Sequence, residues 1–183
     1  MRYVTRLAEK EPYAMVSLIL TIIGPDRPGL VRTLSEAVAA RGGSWLESRM
    51  ARLGGQFAGI VRVEAPEALL ADLPALEREG LRVTGLVETS VAAEPSSGAR
   101  LALEVVGNDR PGIVHDIARV LAAHGVNIEE LSTGVASGSF SGDMMFRAEI
   151  MLRSPNEQAL EAVRAGLERL GNEMMVDIRP IDS

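Results

Sequence analysis

Two tandem α+β domains, each of βαββαβ order around an antiparallel sheet, are predicted by three observations. An eight-residue stretch, Gly24-Pro25-Asp26-Arg27-Pro28-Gly29-Leu30-Val31, returns 83 residues later as Gly107-Asn108-Asp109-Arg110-Pro111-Gly112-Ile113-Val114, with six of the eight positions identical. Each copy follows a short apolar run and precedes an amphipathic one, so a strand, a tight turn and a helix start are made twice. The chain's 183 residues divide naturally into two small domains at that spacing.

The elements follow in order. Residues 1–14 are mixed in charge without a clear period and read as an N-terminal extension; the first domain spans 15–92. Val16–Ile23 is β-branched and apolar, a buried strand. Asp26 is placed to cap a helix starting at Arg27, with Pro28 in its first turn. Leu30, Leu34 and Val38 recur at helical spacing until Gly42-Gly43 stops them. Ser44–Leu53 and Gln56–Glu64 flank Gly54-Gly55, a hairpin signal. Pro66 opens a second helical pattern through Leu69, Leu70, Leu73 and Leu76 to Gly80, with Pro74 positioned to kink it. Leu81–Ala92 is the last strand.

Residues 93–99 have the composition of a linker, and the second domain, 100–183, repeats the order. Leu101–Val106 is its first strand. Ile113, Ile117, Val120 and Leu121 form a helix stripe closed by Gly125. Val126–Ala136 is the second strand, and Met144–Leu152 alternates as a half-buried third. Pro155 starts a helix that Gly171 ends, and Met174–Pro180 is the final strand. Phe57 and Phe146 align at a spacing of 89, so the second copy carries six extra residues in 137–142. These Ser and Gly residues around Phe140 fit either a mobile connection or a flap over a ligand. Each half is thus a split βαβ unit of the ferredoxin-like kind, with helices on one sheet face and the other face left open for an interaction.

Composition excludes several functions. Net charge is −6 with no Lys/Arg cluster, a poor match to phosphate backbones. The strands carry almost none of the aromatics that RNA-binding relatives of this fold use. There is no Cys, so thiolate chemistry and disulfides are absent. Arg2, Arg6 and Lys10 before the apolar run 14–23 mimic a leader. The same run before the second turn marks it as a strand, and a cytoplasmic location is expected. No apolar stretch is long enough to span a membrane.

Catalytic patterns are also missing. A P-loop needs Lys and Ser/Thr after its second glycine, but Leu30-Val31 and Ile113-Val114 stand there. His115 and His124 lie nine residues apart on one helix, on opposite sides, and cannot share a metal. Glu129 and Glu130, adjacent in a strand, point to opposite faces and read as a solvated pair. No metal or other cofactor is expected, nor an enzyme. What remains is the turn. Gly29 and Gly112 are placed inside the first helical turn, at a cost of about 1 kcal/mol each. Both ligand approach and backbone packing explain that.

The Asp-Arg-Pro-Gly-(Leu/Ile)-Val turn, the βαββαβ order and Gly125-Val126-Asn127-Ile128-Glu129 resemble ACT domains over 16–92 and 100–181. The resemblance implies small regulatory modules that bind amino acids. A chain of two such domains resembles the glycine cleavage system transcriptional repressor family. That likeness implies a homo-oligomeric, non-enzymatic regulator responsive to an amino acid, with glycine the leading candidate. It further implies contact with a transcriptional activator protein and no direct binding to nucleic acid. Two alternatives are a regulatory subunit acting in trans on an amino-acid metabolic enzyme and a purely structural dimerisation module.

The family's ligand position, between the strand–helix turn of one domain and the second strand of a paired one, maps onto two residue sets. The first is Asp26, Gly29 and Leu30 with Ser44 and Trp45; the second is Asp109, Arg110, Gly112 and Ile113 with Asn127 and Ile128. Asp would receive an ammonium group, helix N–H groups a carboxylate, and the Asn127 amide either. Ser44 stands where the family has Asn, and Trp45 is bulky. The resemblance therefore implies unequal sites, the first one blocked.

Overall fold

The computed structural model describes residues 14–89, 98–137, 144–171 and 174–181. The chain forms two compact units, Met1–Val91 and Ala92–Ser183. In the first, β1 (Met15–Pro25), α1 (Leu30–Ala40), β2 (Ser44–Leu53), β3 (Gln56–Pro66), α2 (Leu69–Asp72), a 3-10 helix (Leu73–Glu79) and β4 (Arg82–Val87) follow in order. In the second, β5 (Ala99–Asn108), α3 (Ile113–Ala123), β6 (Asn127–Ser137), β7 (Met144–Ser154), α4 (Glu157–Glu168) and β8 (Met175–Pro180) repeat the plan. The sheets are ordered β2-β3-β1-β4 and β6-β7-β5-β8, all pairs antiparallel. The α+β ferredoxin-like architecture predicted from the repeat is the one observed.

Alternation along the central strands builds each core. Leu18, Leu20 and Ile22 of β1 turn inward onto Leu30, Leu34 and Val38 of α1. Leu101, Leu103 and Val105 of β5 meet Ile113, Ile117 and Leu121 of α3 and Val163 and Leu167 of α4. Aliphatic packing dominates, as expected from so few aromatics. Phe146 is buried, and Trp45 packs at the edge of the first core.

Several elements differ from the sequence reading. Pro74 does more than kink its helix. Four residues of α-helix give way to seven of 3-10 helix with the proline at its start, which suits a residue that lacks an N–H. Pro66 ends β3 instead of opening a helix. At α4, Asn156 rather than Pro155 marks the start; its side chain accepts from the Ala159 N–H at 2.8 Å. The fourth strand stops at Val87. The 1–14 extension, the linker and the 137–142 loop lie outside the described residues, except for Ala14, Gly98, Ala99 and Ser137. The Gly54-Gly55 hairpin forms as read, both glycines at positive φ, a two-residue turn matched to strand twist.

Truncating Leu34, fully buried under α1, is expected to cost about 2–5 kcal/mol. Urea unfolding followed by Trp45, the chain's single tryptophan, checks this for the first unit.

Candidate functional site

The duplicated turn is built by glycine. Gly29 and Gly112 are the N-caps of α1 and α3, at φ 98° and 84°, and no side chain caps either helix. This corrects two expectations. Asp26 and Asp109 do not cap, because each helix begins four residues later, at Leu30 and Ile113. The glycines stand before the first helical turn, not inside it. A left-handed φ is what selects them, since a Cβ there disfavours L-residues. Nothing lies within 4 Å of a Cβ built at either position, so no neighbouring backbone crowds them. Gly24 is different: a Cβ there would sit 2.4 Å from the Gly80 carbonyl oxygen.

Beyond each glycine the first N–H groups of the helix have no intrahelical acceptor. Gly29 and Gly112 carbonyls already accept from Thr33 and Asp116, at 2.9 and 3.0 Å. An uncapped helix start with open space around it suits a carboxylate. The backbone N–H groups of Asp26 and Asp109 anchor the turns to the neighbouring hairpins, donating to Gly55 and Met144 carbonyls at 2.8 Å each.

The side chains of the two turns have different partners. The Asp26 carboxylate pairs with Arg52 at 2.5 Å, whereas Asp109 has no ion pair among the described residues. Arg27 donates to the Glu79 carbonyl and lies over Gly80. Arg110 instead pairs with Asp116 at 2.7 Å, and its hydrogen bond holds the Asp116 carboxyl below the usual carboxylate range.

Leu30 and Ile113 are buried core residues, so their side chains belong to the core, and the Ile113 N–H donates to the Arg110 carbonyl at 3.3 Å. Ser44, Trp45, Asn127 and Ile128 lie at the opposite end of their sheets. Ser44 pairs with Glu64, eight residues along β3 from the Gln56 opposite Pro25. Asn127 stands likewise to Asn108. At about 3.3 Å per residue that is roughly 26 Å. Within one unit, the two parts of each predicted set do not meet.

Sequence reading missed a group beside Asn127. Both second strands carry a bulge at the same place, after Trp45 and after Ile128. The extra residue is Leu46 in the first unit and Glu129 in the second. Glu129 is not one of a solvated pair; it binds Arg153 at 2.7 Å and Arg100 at 2.9 Å. The hydrogen bond from Arg153, reinforced by Arg100, outweighs desolvation and lowers its pKa. Ser17, Leu46 and Glu64 fill the matching positions of the first unit, and that triple exchange was the legible signal. His124 lies just past the end of α3, and His115 lies within it. Among the described residues, no group of three or more His, Asp or Glu could hold a metal, and no helix is long and apolar enough to cross a membrane.

Two outcomes are expected. Gly112→Ala destabilises the second unit by about 1–2 kcal/mol through its backbone alone, and Gly112→Asn by less, measured by chemical denaturation. Because the folded pKa of Glu129 is depressed, its stabilisation is present above the ordinary glutamate range. It is lost as pH falls through the depressed value. Glu129→Gln is therefore less stable than the parent at neutral pH, and the gap closes on acidification in a pH series of melts.

Comparison with known proteins agrees with the fold. ACT domain profiles match residues 17–83 and 102–165. The glycine cleavage system transcriptional repressor of Escherichia coli K12 is 26% identical over 171 residues, covering 87% of this chain and 90% of that protein. A protein of unknown function from Galdieria sulphuraria superposes with a TM-score of 0.74 at 29% identity, over 92% of this chain and all of that one. A structure described as a candidate glycine cleavage system transcriptional repressor gives 0.69 at 20% identity, over 92% and 99%. The chain belongs to the ACT-domain family and carries two of its domains in tandem.

Proposed function

We propose that this protein is a non-catalytic, amino-acid-responsive regulator, with glycine as the leading ligand, that works by contact with a transcriptional activator. The observation that carries the reading is the turn of the second unit. Gly112 holds an uncapped helix start open to space, and Asp109 beside it has no ion pair among the described residues. A helix N-terminus for a carboxylate and a carboxylate for an ammonium group suit a zwitterion of amino-acid size. Asn127 and Ile128 join such a site only when a further domain brings its β6 start to this turn, which makes an oligomer part of the proposal. The first unit offers less, because Asp26 is occupied by Arg52 and Trp45 is committed to the core edge. The regulatory role is inferred from the likeness to the E. coli repressor, and the activator contact from the family resemblance of the two tandem domains. The acidic chain, at net −6, also favours a protein partner over DNA.

Titration calorimetry with glycine and a panel of small amino acids tests this. Binding is expected with the parent protein and with Asp26→Ala. Asp109→Ala and Asn127→Ala should each weaken it about tenfold or more. Absence of heat from every amino acid would overturn the sensing role.

A further inference from the structure

The cleft between the first helix and the second strand is filled in one unit and open in the other. In the first unit, Met50 and Trp45 of β2 both pack against the core. Met50 stands opposite Gly59, where a Cβ would come within 2.6 Å of the Met50 Cγ, so the glycine makes room for the methionine. The corresponding pair in the second unit is Thr133 opposite Ala148, and Ile128 takes the place of Trp45. Thr133 is exposed and too short to fill the space that Met50 fills. What remains is an apolar cleft lined by Val114 and Ile117 of α3, Ile128, Leu131 and Thr133 of β6 and Phe146 of β7. Its enclosed part holds about 10 Å³, the room of about one water or one methyl group. Thr133 alone among these six carries a polar side chain, and a water needs at least two polar partners. A methyl group therefore suits the space better than water does.

A second exchange opens the way from the turn to this cleft. Two residues beyond Met50, and so on the same face of β2, Arg52 reaches the Asp26 carboxylate at 2.5 Å and ties the first turn to the strand. Val135 holds that position in the second unit, on the row of Phe146 and Gly107. It carries no charge, and Asp109 has no ion pair among the described residues. Val114 belongs to both places. It is the second residue of α3, so its N–H is among the first of the helix. Its side chain is one wall of the cleft, with 39% of its surface exposed. On the strand side Leu131 is 46% exposed.

From these two differences we infer that the cleft of the second unit is a side-chain subsite: the amino acid received at the second turn carries a short aliphatic side chain, and Thr133 and Val135 select it. That amino acid is the zwitterion proposed above, on which this reading rests. The Asp109 carboxylate and the helix start hold what all amino acids share, and the cleft reads what distinguishes them. Glycine leaves the cleft empty, the branched side chain of valine enters it, and an aromatic ring exceeds it. Apolar surface moved from water into an apolar cleft adds affinity in proportion to the area buried, so valine binds more tightly than alanine, and alanine more tightly than glycine. In the first unit Met50 fills the same subsite and Arg52 crosses the way to it.

Titration calorimetry on the full chain with glycine, alanine, valine and phenylalanine tests the inference. The expected result is a dissociation constant about tenfold or more lower for valine than for glycine, with phenylalanine weaker than valine. Thr133→Met combined with Ala148→Gly copies the first unit's pair and closes the cleft, so it should abolish valine's advantage over glycine. Leu131→Ser copies Ser48 at an exposed position and should reduce that advantage; it carries the test if thermal melts show that the double variant does not fold. Glycine binding with equal or weaker valine binding would overturn the subsite and leave the zwitterion position standing. A valine preference that survives these substitutions would overturn the cleft as its cause. Absence of binding by every amino acid would overturn the zwitterion position and the subsite with it.

Discussion

A left-handed residue between strand and helix is the constraint on which each half of this molecule depends. At Gly29 and Gly112 the chain leaves the central strand and enters a helix that must lie back on the same sheet. Positive φ at the N-cap makes that reversal, and only glycine takes it without strain. The inward rows of β1 and β5 reach α1 and α3 only because the turn sets each helix over them. The same geometry leaves each helix start without a side-chain cap. Packing and the open helix start thus have one cause, and the glycine does not have to be explained by one or the other.

Duplication preserved the backbone and changed the charges. Both strand–helix turns and both second-strand bulges persist at matching positions. On that shared frame Asp26 became committed to Arg52 while Asp109 did not. Arg27 came to tie the turn to the 3-10 helix, and Arg110 to Asp116. At the bulge, Leu46 in one copy faces solvent where Glu129 in the other is held by two arginines. The open faces follow the same rule, apolar in one unit and charged with internal pairing in the other. The two units share one sheet order and differ in their side-chain partners.

Much of the fold was legible because it depends on periodicity. Alternation in Met144–Leu152, the Leu30-Leu34-Val38 stripe and the Gly54-Gly55 turn each specify their element locally. What was not legible depends on exact backbone phase or distant partners. Asp26 and Asp109 look like caps by residue type, but the helix begins past them, so the cap is a glycine torsion that no polarity pattern reveals. Glu129 and Glu130 alternate on an ideal strand, and a bulge breaks that alternation. Its partners Arg100 and Arg153 are close only after folding. Separation of Asn127 from Gly112 likewise follows from strand register, which the sequence does not display.

In the function proposed above, the second turn, and not the first, receives a small zwitterion. Amide chemical shifts of the isotopically labelled protein, followed through a glycine titration, test it most directly. Saturable shifts are expected at Gly112, Ile113 and Val114 and at the Asn127 side-chain amide, with Gly29, Leu30 and Val31 unmoved. Shifts confined to the first turn, or none at either, would contradict it.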